Sequence, residues 1–241
     1  GGSAYASEVI ADELEKFKQS GRPIVASMSS VAASGGYYIS APADKIFANH
    51  NTITGSIGVG GFIPTFERAL DQIGIHEDGY STVDLTTSLF KTLTEKDKEI
   101  MQMGVDDIYI KFITKVAEGR SMSVEEVDAI ARGKVWIGEK ALEIGLVDEL
   151  GDIEDAILAA AELAELEEDN YGVKVILRED QGFGFAFPIA TKFKSLLEYF
   201  GFTFASKSYQ PVLNWLQQQT QLLSELNDPR GMYYYCFCSI E

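Results

Sequence analysis

Apolar and polar residues follow each other along the first half of the chain in patterns that predict helices and strands in turn. The apolar residues Ile10, Leu14 and Phe17 recur at helical spacing and predict a helix that ends near Gly21. The apolar run 24–28 comes directly after this helix and predicts a short buried strand. A helix followed at once by a buried strand is typical of α/β proteins.

The same alternation continues to about residue 166. The further predicted elements are a strand at 45–48, a glycine-rich loop or strand end at 54–61, helices at 65–73 and 94–119, a short helix from 123, and two helices after 138 and 151. Strands and helices at this spacing indicate βαβ units around a mostly parallel sheet, with additional helices at the periphery. The predicted fold class is therefore α/β.

Composition narrows the classes of protein that fit this pattern. Of the 241 residues, 46% are apolar and 24% charged, which suits a folded globular chain and excludes disordered and fibrous classes. The formal net charge of -17 makes a surface that binds nucleic acid improbable. The chain opens with Gly1-Gly2-Ser3 and lacks an initial Met, so we expect a fragment of a longer polypeptide whose first strand is missing.

The composition changes after about residue 165. Residues 183–204 contain seven of the fourteen Phe of the chain. So much aromatic surface exceeds what a soluble monomer normally exposes in one patch. We therefore expect a domain at 1–165 and a tail at 166–241 that contacts another subunit or the membrane interface, or else folds back onto the domain.

Ser34 is the candidate nucleophile. It lies in the small-residue segment Val31–Ile39, between a predicted strand and a predicted helix, and two glycines follow it. Small neighbours let a substrate approach the hydroxyl closely, and backbone amides at the start of a helix stabilise negative charge. The alternative interpretation is an ordinary N-cap serine, which is far commoner in proteins than a nucleophile.

Two further features could complete a site around this serine. The amides of Gly1 and Gly2 could act as oxyanion donors together with that of Gly35, although two leading glycines could equally remain from a tag. The hydroxyl of Ser56 could orient a catalytic cation or simply satisfy a turn.

Other chemistries find little support. His50 and His76 both lie among polar residues and are expected in solvated loops, which argues against a histidine triad. Cys236 and Cys238 with two distant histidines do not make a metal-ligand set, and the glycine-rich loop at 55–61 lacks the lysine of a phosphate-binding loop. We therefore expect no cofactor.

Taken together, the motifs resemble one family. The segments that carry the likeness are Gly1-Gly2-Ser3, Val31–Ile39, Thr54–Val59, Trp136–Gly138 and Gly145–Asp148. Their order and spacing are similar to those of signal peptide peptidase A, also called protease IV, over residues 1 to about 165. The remainder resembles the carboxy-terminal tail of the long, two-half bacterial form.

The resemblance implies a Clp/crotonase-like fold and a Ser-Lys dyad. Such enzymes cleave remnants of signal peptides on the periplasmic side of the bacterial inner membrane, and a homo-oligomer held there by an anchor outside this sequence is expected. By the same resemblance Ser34 matches the nucleophile, Gly35 with Gly1-Gly2 the oxyanion donors, and Ser56 the hydroxyl that holds the lysine. The neighbouring apolar side chains of Ile57 and Val59 are expected to line a pocket for a hydrophobic peptide.

The dyad lysine is where this sequence departs from the family pattern. Short family members carry it in the stretch that here spans 79–88, which contains no lysine, and Lys91 follows where a different basic residue often stands. We therefore expect the lysine to come from a separate amino-terminal half. The alternatives are a non-catalytic half that builds an oligomer and a crotonase-like acyl-CoA enzyme.

Overall fold

A computed structural model describes residues 1–80, 82, 88–167 and 170–176, together with the backbone of 232–234. The chain divides into two compact units, one of Gly1–Tyr171 with Asp228–Glu241 and one of Gly172–Asn227. The aromatic segment 183–204 lies outside the described residues, so its role as an interaction surface stays a prediction, as does the boundary near residue 165.

The described secondary structure confirms the predicted helices and the strands at 24–28 and 45–48, with ends shifted by a few residues. In chain order the elements are β1 (Gly2–Ser3), α1 (Ala4–Gln19), β2 (Val25–Met28), β3 (Val31–Ala33), α2 (Gly35–Ser40), β4 (Lys45–Ala48), β5 (Ile53–Gly55), β6 (Gly60–Gly61), α3 (Glu67–Asp71), α4 (Glu95–Arg120), α5 (Val124–Ile130), β7 (Val135–Ile137), α6 (Gly138–Glu143), β8 (Glu149–Leu150), α7 (Ile153–Leu163) and β9 (Met232–Tyr234). Within the described ranges, none of the helices has the length and hydropathy that crossing a membrane requires.

The described strands form three small sheets. In one sheet β4 lies between β2 and β8 and is parallel to both; in the second, β5 lies parallel to β3 and antiparallel to β7. In the third, β9 lies between β1 and β6 and is antiparallel to both. Parallel strand pairs with intervening helices confirm the α/β fold class.

Helix α1 turns its small residues toward the core. Ser3 caps the helix, because its hydroxyl accepts the Ala6 N–H at 3.1 Å, so the helix begins well before Ile10, the first of the apolar residues that predicted it. Its buried residues are Ala4, Ser7 and Ala11. Of the three apolar residues that predicted the helix, Ile10 and Phe17 point outward, at 47% and 39% exposed, and Leu14 is half-buried.

Helix α2 is held in the core by its two tyrosines. Tyr37 is fully buried and donates a hydrogen bond to the carbonyl of Leu146 at 2.8 Å, and burial raises the pKa of its phenol well above the ordinary value. Tyr38 packs against Phe112 of α4, with ring centroids 4.9 Å apart, and its hydroxyl donates to Glu8 of α1. Contacts on several sides fix the start of α2, which is where Ser34 lies.

The Gly145–Asp148 motif braces the core from the other side. Leu146 and Val147 are buried, and the Asp148 carboxylate accepts the N–H of Ile46 in β4 at 2.8 Å. The same carboxylate pairs with Arg120 at the end of α4 at 2.5 Å, where the arginine side chain is only 7% exposed. The motif therefore connects β4 and α4 to Leu146, whose carbonyl accepts the hydrogen bond from Tyr37.

Candidate active site

Ser34 has a strained backbone at the junction of β3 and α2. Its φ of 58° and ψ of -118° fall in a region that residues with a side chain rarely adopt. Two hydrogen bonds hold this conformation: the Ser34 N–H donates to the carbonyl of Gly55 at 2.8 Å, and the Ser34 carbonyl accepts the N–H of Tyr38 at 2.8 Å. Strain held by the surrounding structure is common at catalytic residues.

The Ser34 side chain is buried without a hydrogen bond. The residue is 0% exposed, and within the described part of the chain its Oγ is the buried side-chain polar atom that lacks a partner. Ser34 occupies the N-cap position of α2 but makes no side-chain capping bond, so the interpretation as an ordinary capping serine is wrong. An unpaired buried hydroxyl costs stability, and such a group calls for a functional explanation.

Ser56 lies beside Ser34 because of the strand register. In the parallel pair β3 and β5, Ala33 is the partner of Gly55, so the next residue of each strand is one of the two serines. Ser56 is 4% exposed and also has a positive φ, of 48°. The structure thus brings the two predicted serines together at the carboxyl ends of adjacent strands.

A close backbone contact fixes the segment that carries Ser56. Gly55 has a φ of +74°, and a Cβ there would lie 2.8 Å from Cδ1 of Trp136. The Ser56 N–H donates to the carbonyl of Lys134 at 2.8 Å, and the Gly133 N–H donates to the carbonyl of Ile57 at 2.9 Å. No local pattern in the sequence predicts this close contact between Gly55 and Trp136, although Trp136 belongs to one of the motifs that carry the resemblance.

The remaining predicted site residues surround this centre. Gly35 is buried and follows Ser34 as the first residue of α2, while Gly1 and Gly2 lie at β1, which contacts α2. Ile57 is 0% exposed and belongs to the main core, so its side chain does not face an open groove in this structure; Val59 is half-buried against that core.

Among the described residues, no histidine or lysine makes a hydrogen bond to the Ser34 hydroxyl, since Ser34 Oγ has no hydrogen-bond partner. The prediction that His50 and His76 lie in exposed loops is confirmed. Lys91 lies near Glu67 of α3, whose pKa is lowered mainly by hydrogen bonds from Thr92 and further by the Lys91 charge. Other described lysines bind carboxylates or carbonyls: Lys16, Lys18, Lys45, Lys98, Lys111, Lys115, Lys134 and Lys140.

A hydrogen-bonded cluster lies next to the segment 133–134, whose backbone binds that of Ser56 and Ile57. The cluster consists of Tyr109, Asp128 and Arg132. The Tyr109 hydroxyl on α4 donates to Asp128 of α5 at 2.6 Å, and Arg132 binds the same carboxylate at 2.5 Å. Burial, and then the bond to Asp128, raises the pKa of Tyr109 to about 12. Arg132, followed by Tyr109, lowers the pKa of Asp128.

We expect Tyr109→Phe to lower the free energy of unfolding by about 1 kcal/mol near pH 8, because it removes this hydrogen bond. The folded-state pKa of Tyr109 is raised from 10.0, so its contribution is fully present below pH 10 and is lost as the pH rises towards 12. Urea unfolding at pH 8, 10 and 11 measures the difference, with the fully exposed Tyr80 replaced by Phe as control. A deficit that stays constant over this range would contradict the prediction.

Comparisons with known proteins identify a matching family model and several relatives of the chain. A family model described as peptidase family S49 matches residues 16–167. The chain is 38% identical over 244 residues to Protease 4 of Haemophilus influenzae, which covers 98% of this chain and 38% of that protein. It is 49% identical over 169 residues to Protease 4 of Salmonella typhi, which covers 70% of this chain and 27% of that protein.

A solved structure of a ClpP1 variant from Listeria monocytogenes is similar over 65% of this chain and 71% of that one, with 18% identity and a TM-score of 0.43. The chain spans well under half the length of the two Protease 4 relatives, 38% and 27% respectively.

Proposed function

The chain belongs to peptidase family S49, and from that premise we propose that it supplies the serine nucleophile of a peptidase that cleaves hydrophobic peptides, the remnants of signal peptides. The observation that carries the proposal is the buried, unbonded Ser34 hydroxyl on a strained backbone. A hydroxyl without a partner is free to donate its hydrogen to a base and to attack a substrate, and its position is set by the sheet and α2 instead of by its own contacts.

In the proposed reaction, Ser34 Oγ attacks the carbonyl carbon of the scissile peptide bond. The hydroxyl proton passes to a neutral lysine amine, and the new oxyanion is stabilised by backbone amides. The Ser34 N–H is already donated to the Gly55 carbonyl and is not available for this role. The family resemblance implies that the donors are the amide of Gly35 and one from Gly1 or Gly2. The lysine then protonates the leaving amine as the C–N bond breaks, and water hydrolyses the acyl-enzyme.

We propose that the lysine comes from a separate half of the enzyme. Two observations support this: the described lysines make no hydrogen bond to Ser34, and the chain spans only 38% and 27% of the two Protease 4 relatives. A lysine acts as a base near neutral pH only when burial lowers its pKa. Ser56, buried beside Ser34, is placed to orient such an amine without adding charge.

Assembly and location form part of the same proposal. Exposed apolar side chains on the outer face of α1, at Tyr5, Val9, Ile10 and Phe17, support contact with another subunit. Together with the family resemblance they favour a homo-oligomer on the periplasmic side of the bacterial inner membrane. The family resemblance implies a preference for apolar residues in the peptide, and the net charge of -17 disfavours acidic ones.

The test is a peptide-cleavage assay with residues 1–241 alone and with an added lysine-bearing amino-terminal half. We expect the chain alone to be slower by on the order of a hundredfold or more, because it lacks the general base. Acylation of Ser34 by a covalent serine probe in the assembled enzyme separates this function from a non-catalytic role. Robust cleavage by the chain alone that Lys91→Ala abolishes would overturn the assignment of the base.

We further expect Ser56→Ala to lower kcat of the assembled enzyme on the order of tenfold and to leave KM nearly unchanged. The hydroxyl orients the base and does not bind the peptide, so its loss affects the transition state more than substrate binding. Steady-state kinetics measure both constants. Ser121→Ala is the matched control, since Ser121 also has a positive φ but is exposed at the end of α4. A Ser56→Ala enzyme with unchanged kcat would make Ser56 a turn residue only.

A further inference from the structure

One glycine links the two serines of the candidate site. The Gly55 carbonyl accepts the Ser34 N–H at 2.8 Å, and Ser56 is the next residue along the chain. Gly55 has a φ of +74°, and without a side chain it rotates freely about its backbone bonds unless a neighbour prevents it. A rotation at Gly55 would displace the carbonyl that holds Ser34 and, at the same time, the residue Ser56. Both hydroxyls therefore stay in place only if this glycine is fixed from outside.

The indole of Trp136 occupies the space beside Gly55. A Cβ at Gly55 would lie 2.8 Å from Cδ1 and 3.7 Å from Cγ of Trp136, so the edge of the ring lies where a side chain would extend. The antiparallel register of β5 and β7 brings the two residues together, since Val135 is the partner of Gly55. A flat ring packed this closely leaves the Gly55 backbone little room to rotate.

The ring is itself held on its other side. Trp136 Nε1 donates a hydrogen bond to the carbonyl of Ile130 at 3.0 Å, at the end of α5. The side chains of Trp136 and Ile130 are half-buried against the main core, to which the fully buried Val127 of α5 belongs. The indole thus connects a helix anchored in the core to Gly55.

We propose that Trp136 is a positioning residue, whose indole fixes Gly55 and thereby places both Ser34 and Ser56 for the reaction. The inference rests on the proposed function, since it takes the two serines to be the nucleophile and the residue that orients the base. The strained φ of 58° at Ser34 persists only while the surrounding structure imposes it. A displacement of about 1 Å in a catalytic group can cost on the order of a hundredfold in rate.

The first experiment reports on the two serines without any cleavage. Hydrogen exchange of the chain alone, followed by NMR, monitors the Ser34 and Ser56 amides, which both donate to backbone carbonyls. Trp136→Val removes the ring and keeps a residue that suits a strand. We expect both amides to exchange on the order of tenfold faster or more, relative to the amide of the buried Val116 within α4.

Two variants serve as controls. Trp136→Phe loses Nε1 but keeps an aromatic ring with Cγ and Cδ1, the two ring atoms near Gly55, so most of the protection should return. Phe47→Val is the matched loss of an aromatic side chain from a strand, since Phe47 is 2% exposed and packs in a separate core cluster. It should destabilise the chain without raising exchange at Ser34 and Ser56 above that at Val116.

The assembled enzyme measures the consequence for catalysis. The turnover number kcat is expressed per active site titrated with the covalent serine probe, so that an unfolded fraction does not count. Trp136→Val should lower this kcat on the order of tenfold or more and leave KM nearly unchanged, because the serines are displaced and the peptide-binding surface is not. Trp136→Phe should recover most of the activity, and Phe47→Val should keep it.

A second measurement leaves Trp136 in place and therefore does not depend on the folding of Trp136→Val. The chain has two tryptophans, so a Trp215→Phe chain labelled with fluorinated tryptophan gives one fluorine NMR signal, from Trp136. Ser34→Gly should shift this signal, because relief of the strain at Ser34 reaches the ring through Gly55. Ser7→Ala, a change at another buried serine, should leave the signal where it is.

Three results would each overturn the inference. They are exchange at Ser34 and Ser56 that rises no more than at Val116, an unchanged kcat per titrated site in Trp136→Val, and an unshifted fluorine signal in Ser34→Gly. If the exchange responds as expected but the unchanged assembled enzyme cleaves no peptide, the proposed function fails, while the placement of the two serines by Trp136 holds.

Discussion

Ser34→Ala is expected to reduce peptide cleavage by the assembled enzyme on the order of a thousandfold or more, because it removes the nucleophile and no other group can form the acyl intermediate. The same change should leave the chain folded. The Ser34 hydroxyl makes no hydrogen bond, so no bond is lost, and the cost of burying an unpaired polar group is removed. We expect the free energy of unfolding to be unchanged or to rise by up to about 1 kcal/mol.

Two further variants test this separation of activity from stability. Ser34→Gly should stabilise the chain by about 1 kcal/mol or more, since glycine adopts a φ of 58° and a ψ of -118° with less strain. Ser7→Ala is the matched control: Ser7 is also buried, but its hydroxyl donates to the Ser3 carbonyl at 3.0 Å. The Ser7→Ala chain should lose about 1 kcal/mol of the free energy of unfolding. If Ser34→Ala destabilised the chain as much as Ser7→Ala, the hydroxyl would be structural.

Gly119→Ala should lower the free energy of unfolding by about 3 kcal/mol or more, at the upper end of what overpacking costs. Helix propensity alone predicts the reverse, a gain of about 1 kcal/mol for replacing glycine in a helix. A Cβ at Gly119, however, would lie 2.1 Å from the carbonyl oxygen of Ala41, at the end of α2. Backbone atoms on both sides have to move apart to admit the methyl group.

The damage should extend to catalysis, because α2 begins directly after Ser34 and is short enough to shift as a unit. We expect cleavage by the assembled enzyme to fall together with stability. Urea unfolding and the cleavage rate measure the two effects. Gly36→Ala is the control for stability, since its Cβ would meet only the Ala32 side chain at 4.0 Å and should cost little. Wild-type stability in Gly119→Ala would show that α2 and α4 separate easily.

Local signals in the sequence were sufficient to predict most helices. Thr94 and Asp97 form a capping box at the start of α4, the helix predicted at 94–119, with both reciprocal hydrogen bonds present. The strand 45–48 was also predictable, because its apolar side chains are buried. These elements depend on interactions between residues close in the chain, which a sequence pattern reports directly.

The features that define the site depend on residues distant in the chain and were harder to predict from the sequence. The sequence indicated Ser34 and Ser56 as candidates, but only the pairing of β3 with β5 brings them together. The strain at Ser34 and the absence of a capping bond follow from that register and from the packing of α2. Short strands such as β8 and β9 carry no periodic signal of their own, so their partners decide whether they form.

The two faces of α1 are expected to diverge differently among related chains. At Ala4, Ser7 and Ala11 any larger side chain has to enter the packed core, so acceptable changes are limited by volume. At Ile10 and Phe17 a change to a polar residue removes little buried surface and costs the isolated fold almost nothing. Selection at these outward positions therefore acts through whatever binds the helix, and their variation across lineages should follow the partner surface and not the core.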